Sequence, residues 1–276
     1  RGGMMGFWQG KRVAIPGAGG FIGTHLVRAL ETRGAVHVGP REAAPDFFIS
    51  LAARIGGIAS AAQDHQHTFA ENVKISTDYL DLAATTGAKS IIVISSACIY
   101  DDHMTTSGPP VASSRGYGLA KRVTEMHAQL LAEKIRTITV RGFNAYGPGD
   151  TSDHVIPDLI RKISTGTVDL WGGEQTRPFT YVTDWVDALL LIAEHADSGD
   201  AIDLSSNATI SINDLAYRIA LLMGAAPKFR SAPGPIGHIA RVPNTEWLDH
   251  HDWSPKVTLT EGLESTIAWF LAQEQP

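Results

Sequence analysis

A tyrosine and a lysine four residues apart are the first candidates for chemistry. Tyr117 and Lys121 lie in a stretch with helical periodicity, so a helix would place both side chains on one face. A nearby ammonium group favours the phenolate and lowers the pKa of the phenol, which makes tyrosine a usable acid or base near neutral pH. The pattern Tyr-x-x-x-Lys is also common in helices without chemistry, so neighbouring motifs must support a catalytic interpretation.

A serine and a cysteine follow an apolar stretch upstream. Ser90–Ser95 is rich in Ile and Val, which is typical of a strand buried on both faces, and Ser96 and Cys98 come directly after it. Ligands of parallel sheets bind at the carboxyl ends of the strands, so the Ser96 hydroxyl can hold a substrate oxygen beside Tyr117. Cys98 is a candidate acid or base in the same place; the alternative is an inert buried thiol.

One histidine is a further candidate for proton transfer. His154 precedes an apolar helix and can act as a partner acid, although a helix cap or a surface residue explains it as well. His250, His251 and Asp252 lie together but lack a further ligand at fixed spacing. We therefore expect a solvated cluster there and no metal site.

A glycine-rich loop predicts a dinucleotide site. Gly17, Gly20 and Gly23 follow the predicted strand Arg12–Ile15 and open a helix that runs to about Thr32. Glycines let the backbone turn tightly and approach a pyrophosphate, and the helix N-terminus offers unpaired N–H groups to it. A glycine-rich turn without a ligand is the alternative interpretation.

The residues after the second predicted strand bear on the choice of dinucleotide. An NAD site expects an acid about 20 residues after the glycines to hold the ribose 2′-OH. The strand ends at Val38 without an acid at its tip, whereas Arg41 can meet the 2′-phosphate of NADP. Glu42 leaves NAD as an alternative cofactor. A solvated Arg41–Glu42 ion pair that binds no ligand is a third interpretation. The sequence favours NADP over NAD.

Strands alternate with helices as far as about residue 146, which predicts a doubly wound parallel sheet of the Rossmann-like α/β class. Helices are predicted at Asn72–Thr86 and Tyr117–Ile135. Later short strands mix with helices, so residues 4–150 are predicted as a dinucleotide-binding domain. Residues 151–276 are predicted as a smaller C-terminal α/β substrate domain, with some chain crossing back. The predicted strands of the first domain are Arg12–Ile15, Ala35–Val38, Phe47–Leu51, Ser90–Ser95 and Thr137–Arg141.

Composition narrows the function classes. The 276 residues are 43% hydrophobic and 19% charged, which is typical of an ordinary globular protein. A net charge of −6 gives no basic surplus for nucleic acid, and no apolar run approaches the ~20 residues of a membrane helix. One cysteine excludes an intramolecular disulfide and suits the reducing cytoplasm. We expect no nucleic-acid partner, no membrane association and a cytoplasmic location.

Together these motifs resemble the extended short-chain dehydrogenase/reductases of the NAD-dependent nucleotide-sugar epimerase/dehydratase family. The resemblance runs from Arg12 to about Phe270. It therefore covers nearly the whole chain. The matching stretches are the glycine loop, Leu51–Ala53, Ser96, Tyr117 with Lys121, Arg141–Pro148, Thr176–Asp184, Trp253–Pro255 and Glu261–Leu263.

The resemblance implies that residues 151–276 form a nucleotide-sugar-binding domain, and it implies two sets of contacts. The dinucleotide is expected to touch Gly17, Gly20, Phe21, Ile22, Gly23, Arg41, Leu51, Ala52, Ala53, Asn72, Tyr117 and Lys121. The nucleotide-sugar is expected to touch Gly56, Gly57, Ser96, Asn144, His154, Val155, Lys162, Trp171, Arg177 and Arg241. Asn144, Arg177 and Arg241 match positions that hold the substrate pyrophosphate, for which the planar guanidinium fork is well suited.

Two branches of this family, both acting on GDP-hexoses, fit best. Both carry a cysteine two residues after the serine, as Cys98 stands here. Pro233–Gly237 followed by Arg241 resembles the GDP-mannose 3,5-epimerases, whereas His154–Pro157 resembles the GDP-L-fucose synthases, whose histidine is the partner acid. The resemblance favours a GDP-mannose-type 3,5-epimerase that works through a transient 4-keto sugar and a tightly bound nicotinamide, with catalytic residues Ser96, Cys98, Tyr117, Lys121 and His154.

Two alternatives remain beside that prediction. One is a GDP-4-keto-6-deoxyhexose 3,5-epimerase-4-reductase of the fucose-synthase kind, which uses NADPH. The other is a non-catalytic dinucleotide-binding protein.

The chain departs from the family in one region. Only eight residues separate Val38 from Phe47, fewer than the ~10–12 of a βαβ crossover. We predict that an edge strand and its helix are missing, together with an acid that usually contacts the adenine. The resemblance also implies a homodimer, formed through a four-helix bundle of Asn72–Thr86 and Tyr117–Ala132.

Overall fold

A computed structural model of the chain describes residues 4–56, 64–100, 115–234, 237 and 239–273. Its strands are β1 (Arg12–Ala14), β2 (Val36–Val38), β3 (Phe47–Ser50), β4 (Ser90–Ser96), β5 (Arg136–Gly142), β6 (Asn144–Tyr146), β7 (Thr167–Trp171), β8 (Thr176–Tyr181), β9 (Ala201–Leu204), β10 (Thr209–Ser211) and β11 (Lys228–Ala232). Its helices are α1 (Met4–Phe7), α2 (Phe21–Thr32), α3 (His65–Thr85), α4 (Arg115–Ala132), α5 (Val155–Ser164), α6 (Val182–His195), α7 (Ile212–Leu222), α8 (Glu246–His250) and α9 (Leu259–Gln273).

The main sheet has six parallel strands in the order β2-β1-β3-β4-β5-β9. Helices α2 and α6 pack together on one face, and α3 and α4 pack together on the other. The central strands are almost wholly buried, because helices cover both of their faces. The prediction of a doubly wound, Rossmann-like sheet is confirmed.

The edge at β2 is trimmed, as the count of eight residues predicts. Residues 39–46 return from β2 to the start of β3, on the far side of β1, without a helix or strand of their own. The backbone N–H of Arg12 donates to Asp46 Oδ2 at 2.9 Å, and the Asp46 N–H donates to the Arg12 carbonyl at 2.8 Å. An extended segment of this length spans these short strands, since each residue advances the chain about 3.3 Å.

A second apolar core lies among the later elements. It joins β6, β7 and β8 to helices α5, α7 and α9, and small sheets of the order β10-β8-β6 and β11-β7 support it. Between these elements, α6 and β9 return to the six-stranded sheet. Residues from both halves of the sequence therefore meet at the carboxyl end of the main sheet.

Capping residues in the local sequence determine where helices α3 and α7 begin. Helix α3 begins at His65, seven residues before the predicted Asn72, because Asp64 accepts the His67 N–H at 2.9 Å and caps a polar first turn that lacks apolar periodicity. Helix α7 begins at Ile212, because Ser211 caps it: the Asp214 N–H donates to Ser211 Oγ at 3.0 Å. Within the described ranges, none of the helices combines the length and the apolar character that a membrane span requires.

Candidate active site

The carboxyl end of β4 carries the serine and the cysteine. Ser96 caps the 3₁₀ helix Ala97–Ile99, because its Oγ accepts the Cys98 N–H at 3.1 Å. Ser96 and the Cys98 thiol both lie close enough to Tyr117 to influence the pKa of its phenol. The structure thus brings Ser96, Cys98 and Tyr117 together, although they come from different elements.

Lys121 lies one helical turn after Tyr117 on α4 and is buried. Its Nζ donates to the Ile94 carbonyl at 2.8 Å and lies 5.6 Å from the centroid of the Tyr117 ring. Burial lowers the pKa of Lys121 to about 8, against the opposing influence of Cys98 and Glu125. The lysine is thus anchored beneath the tyrosine.

The acidity of Tyr117 differs from the sequence prediction. Burial raises the pKa of Tyr117 well above its ordinary value, the nearby Cys98 raises it further, and the nearby Ser96 hydroxyl lowers it. The expectation that Lys121 lowers this pKa is wrong for this structure, because desolvation of the phenolate outweighs the distant ammonium. At neutral pH the phenol therefore keeps its proton, which is the form that donates to a ketone oxygen.

A buried polar network supports this end of the sheet. Arg141 of β5 forms a two-pronged ion pair with Glu125 of α4, at 3.0 and 2.9 Å, and its Nη1 donates to the Tyr100 hydroxyl at 3.0 Å. Tyr100 donates to Asp203 Oδ1 at 2.6 Å, and Asp203 Oδ2 accepts the Asn244 N–H at 3.0 Å. The network fixes α4 and the segment that leads from Arg241 to α8 relative to the sheet.

Two arginines lie beside the cysteine. Arg241 is buried, and its Nη2 donates to Cys98 Sγ at 3.6 Å. Burial and the charge of Arg241 lower the pKa of Arg177 to about 10, while Arg177 Nη1 donates to the Thr176 carbonyl at 2.7 Å. Asn144 of β6, the third predicted pyrophosphate ligand, donates from Nδ2 to the Pro178 carbonyl at 3.3 Å. Two neighbouring guanidinium groups are an arrangement that favours a multiply charged anion.

His154 forms a pair with a buried aspartate that the sequence analysis did not single out. Its Nδ1 donates to Asp150 Oδ2 at 3.0 Å, so Nε2 is the nitrogen left for proton transfer. Burial raises the pKa of Asp150, but the hydrogen bonds from His154 and Ser152 outweigh it and leave the pKa below its ordinary value. His154 occupies the N-cap position of α5, but its side chain makes no capping hydrogen bond there. Asp150 lies four residues before His154, and this spacing is the sequence feature that could have indicated the pair.

The remaining predicted substrate residues lie around α5 and β7. Val155 is the first residue of α5, and Lys162 on the same helix pairs with Asp158 at 2.7 Å. Lys162 Nζ also lies 5.3 Å from the centroid of a Trp171 ring. Gly234 lies directly against the same indole, where a side chain could not fit. Trp171 thus lies beside both Lys162 and Gly234.

The glycine loop fits a dinucleotide pyrophosphate. Gly17 has φ of +92°, and a Cβ there would lie 3.0 Å from the Ala52 nitrogen and 3.1 Å from the Leu51 carbonyl carbon. A Cβ on Gly23 would lie 2.1 Å from the Gly17 carbonyl oxygen. Helix α2 begins at Phe21 and Ile22 with neither a side-chain cap from Gly20 nor an acid in its first turn. Its N–H groups can therefore face an anion.

The loop after β3 is held by Asn72. Asn72 is buried on α3; its Oδ1 accepts the Arg54 N–H at 2.9 Å, and its Nδ2 donates to the Arg54 carbonyl at 3.0 Å. This amide therefore fixes the chain directly after Ala53. Gly56 is exposed at the end of the same loop, whereas Gly57 lies outside the described residues.

In the loop after β2, the carboxylate of Glu42 is already bound by other residues of the protein. Glu42 accepts the Gly39 N–H at 2.8 Å and pairs with Arg12 at 3.1 Å, and the Gly39 hydrogen bond is the main reason that its pKa lies below the ordinary value. Arg41 is exposed and lines a cleft against Asp78 and Asp81 of α3.

No group of three or more His, Cys, Asp or Glu side chains able to hold a metal ion occurs in the part of the chain that the structure describes.

Comparison with known proteins identifies the family. The sequence pattern described as the NAD dependent epimerase/dehydratase family matches residues 39–205, more than half of the chain. The chain belongs to this family. The resemblance found in the sequence is thereby confirmed, and so is the prediction of an enzyme of the NAD(P)-dependent epimerase and reductase kind.

Curated relatives of this epimerase/dehydratase include enzymes with different activities. The probable GDP-L-fucose synthase 1 of Oryza sativa subsp. japonica is 25% identical over 95% of this chain and 93% of its own length. The dTDP-4-dehydro-6-deoxy-D-allose reductase of Streptomyces bikiniensis is 28% identical over 95% and 97%. The GDP-mannose 3,5-epimerase 1 of Oryza sativa subsp. indica is 26% identical over 97% and 84%.

Solved structures of similar fold carry either dinucleotide. RMD from Pseudomonas aeruginosa, complexed with NADPH, has a TM-score of 0.83 at 18% identity and covers 95% of this chain and 99% of its own. The UDP-glucose 4-epimerase of Thermus thermophilus, in complex with NAD, has a TM-score of 0.79 at 20% identity over 94% and 99%. At these identities the likeness establishes the fold of this epimerase/dehydratase.

Proposed function

We propose that the protein is a nucleotide-sugar 3,5-epimerase that acts on a GDP-hexose of the GDP-mannose type through a transient 4-keto sugar. The observation that supports this best is the meeting of Ser96, Cys98, Tyr117 and Lys121 at the end of β4, with Arg241 in contact with the thiol. A protein that only binds a dinucleotide has no use for a thiol and a phenol placed together at this point.

The chemistry explains why a ketone comes first. Sugar C–H bonds beside a carbinol are not acidic, whereas a ketone at C4 acidifies the hydrogens at C3 and C5. A bound nicotinamide supplies the acceptor, and later the donor, of the hydride at C4. The fit of the glycine loop to a pyrophosphate, with Gly17 packed on Leu51 and Ala52, supports its binding there.

Each residue of the site has a role in this scheme. Tyr117 exchanges the proton of the C4 oxygen, and Ser96 donates a hydrogen bond to that oxygen while negative charge develops on it. Lys121 adds positive charge beneath the tyrosine. Cys98 and His154 form the acid–base pair for C3 and C5, with one group on each face of the ring.

The arginines provide the substrate's anchor. Arg177 and Arg241 bind the diphosphate of the nucleotide-sugar, assisted by Asn144, and this places the hexose beside Cys98. Binding energy from the nucleotide, which does not react, thus fixes the orientation of the ring that does. Gly56, Gly57, Val155, Lys162 and Trp171 complete the proposed substrate contacts.

A second candidate is a 3,5-epimerase-4-reductase that receives a ready-made GDP-4-keto-6-deoxyhexose and consumes NADPH. One observation favours it: Tyr117 is held protonated, as reduction of a ketone requires. Both candidates share the same acid–base pair, and they differ in where the ketone comes from.

For the cofactor we propose NADP rather than NAD. Glu42, the acid that would hold a ribose 2′-OH, already accepts the Gly39 N–H and pairs with Arg12. Arg41 remains exposed on the same loop and can meet a 2′-phosphate.

We propose a homodimer formed through α3 and α4. Met126 and Leu130 lie one turn apart on α4, and each is 65% exposed, although α3 and α4 pack closely together. A second copy of this pair of helices would cover both side chains. Light scattering at micromolar concentration tests this, because a monomer peak would contradict it.

We also propose a cytoplasmic location, and the reason is the chemistry of the Cys98 thiol. Cys98 must remain a reduced thiol to carry a proton, and a reducing compartment maintains it. Thiol labelling in intact cells should find Cys98 free; a stably oxidised cysteine would count against this location.

Incubation in heavy water distinguishes the proposed functions. With GDP-mannose and either dinucleotide, the proposal predicts deuterium at C3 or C5 and new hexose isomers by NMR and mass spectrometry, without net cofactor reduction. Exchange that occurs only with a GDP-4-keto-6-deoxyhexose, accompanied by NADPH oxidation, would establish the second candidate. Absence of exchange with both substrates would contradict both enzymatic proposals and leave a protein that only binds a dinucleotide.

A further inference from the structure

His25 connects the dinucleotide loop to the residues that carry His154. It lies on α2, one turn after Phe21, and its Nε2 is 2.8 Å from the Pro148 carbonyl oxygen. Because a carbonyl only accepts, His25 must carry a proton on Nε2. The hydrogen bond joins segments that are 123 residues apart in the sequence.

The backbone after Pro148 packs onto the same two rings. The Phe21 and His25 rings meet edge to face, with centroids 5.9 Å apart. Gly149 has φ of +98°, and a Cβ there would lie 3.6 Å from Phe21 Cδ2 and 3.9 Å from His25 Nε2. The backbone at Gly149 thus lies against the first turn of α2.

The next residue, Asp150, orients His154. Its buried carboxylate accepts hydrogen bonds from His154 Nδ1 and from Ser152, while Arg161 Nη2 donates to the Ser152 carbonyl at 3.0 Å. The downstream half of the segment is therefore anchored to α5, and the upstream half is anchored to α2 through His25.

We propose that His25 is a positioning residue that holds Asp150, and through it the imidazole of His154, in place for proton transfer to the sugar. This inference rests on the proposed function, because it takes His154 as a member of the acid–base pair. It adds that the helix that binds the dinucleotide also sets the position of the proton-transfer group.

Two variants separate positioning from general packing. His25→Gln keeps an amide N–H that can donate to the Pro148 carbonyl, whereas His25→Leu keeps apolar volume without a donor. Because a misplacement of about 1 Å can cost on the order of 10²-fold, we expect His25→Leu to lower deuterium incorporation at C3 or C5 by 10- to 100-fold. His25→Gln should restore it to within about threefold of wild type.

Reduction of a ready-made 4-keto substrate serves as the internal control. That step uses Tyr117 and not His154, so at saturating NADPH His25→Leu should reduce the ketone within about twofold of the wild-type rate. Equal loss of exchange and reduction in His25→Leu would assign His25 to cofactor binding or folding and overturn the proposal. Exchange at the wild-type rate in His25→Leu would also overturn it.

An NMR measurement on the unmodified protein without substrate distinguishes this inference from the proposed function. The Nδ1 proton of His154, hydrogen-bonded to Asp150, should give a downfield resonance that is absent in His154→Asn. We expect that resonance in wild type and His25→Gln and its loss in His25→Leu. Its persistence in His25→Leu contradicts the positioning role, whereas failure of the proposed function would show as wild-type protein without exchange but with the resonance intact.

Discussion

The edge strand β2 and the central strand β4 belong to one sheet but differ in how they are supported. β2 has three residues, Val36 on it is half exposed, and the ion pair Arg12–Glu42 beside it lies at the surface. β4 has seven residues, and the buried pair Arg141–Glu125 lies at its carboxyl end.

This difference has a functional meaning. The proposed adenosine side of the cofactor site is formed here by a short loop, whereas the groups proposed to react lie beside buried hydrogen bonds. We propose that the protein tolerates loose contacts to the part of the cofactor that does not react, but not to the reacting atoms. The predictions below test that contrast.

The largest effect is expected at the reacting end. Tyr117→Phe removes the hydroxyl that exchanges a proton with the C4 oxygen, so turnover should fall on the order of 10³-fold. The dissociation constant of NADPH, measured by fluorescence titration, should stay within about threefold. Turnover near the wild-type rate in this variant would show that the catalytic assignment is wrong.

The buried network should be sensitive to loss of one partner. Glu125→Ala leaves the Arg141 guanidinium without its carboxylate, so chemical denaturation should show a loss of about 3 to 5 kcal/mol in the free energy of unfolding. The exposed pair Lys74–Asp78 is the matched control, and Lys74→Ala should cost less than about 0.5 kcal/mol. Similar losses in the free energy of unfolding for Glu125→Ala and Lys74→Ala would contradict the expected difference between the buried and the exposed ion pair.

Titration of Lys121 should appear in the pH dependence. Its pKa of about 8 means that the ammonium is present below that pH and lost above it, so kcat/KM should fall by about tenfold per pH unit on the alkaline side. The sign for stability is opposite. Between pH 8 and 10.5 the unfolded chain binds the proton and the folded chain does not, so this group makes the free energy of unfolding rise with pH. A kcat/KM profile that stays flat to pH 10 would contradict the first expectation.

The trimmed edge should show the smallest effect. Arg41→Ala removes the proposed charge-assisted contact to a 2′-phosphate at an exposed position, so the dissociation constant of NADPH should rise about tenfold while that of NADH changes little. Arg28→Ala, which removes an exposed charge from α2, is the control for net charge. An equal effect of Arg41→Ala on both dinucleotides would exclude the proposed recognition of the phosphate.

Local patterns were enough to predict much of this molecule. The glycine loop, the apolar strand Ser90–Ser95 and the Tyr117–Lys121 spacing predicted the sheet and the proximity of Ser96 to Tyr117, and the count of eight residues after Val38 predicted the trimmed edge. Each of these signals lies within a few consecutive residues, where propensity and periodicity act.

Contacts between distant segments were not predictable. The hydrogen bond of His25 to Pro148 depends on how α2 meets a segment from the other half of the sequence. The raised pKa of Tyr117 depends on burial, which no spacing reveals. The aromatic and β-branched residues of Phe179–Val182 predict a strand over that range, but β8 is Thr176–Tyr181, since Val182 begins α6 and is buried in the main core.

The central claim is that Cys98 and His154 act from opposite faces of a 4-keto sugar. The most direct test follows exchange and inversion separately in heavy water for Cys98→Ser and His154→Asn. The account predicts that the variant that lacks the base loses deuterium incorporation, while the variant that lacks the acid still exchanges but no longer inverts the carbon. Wild-type exchange and inversion in both variants would contradict it.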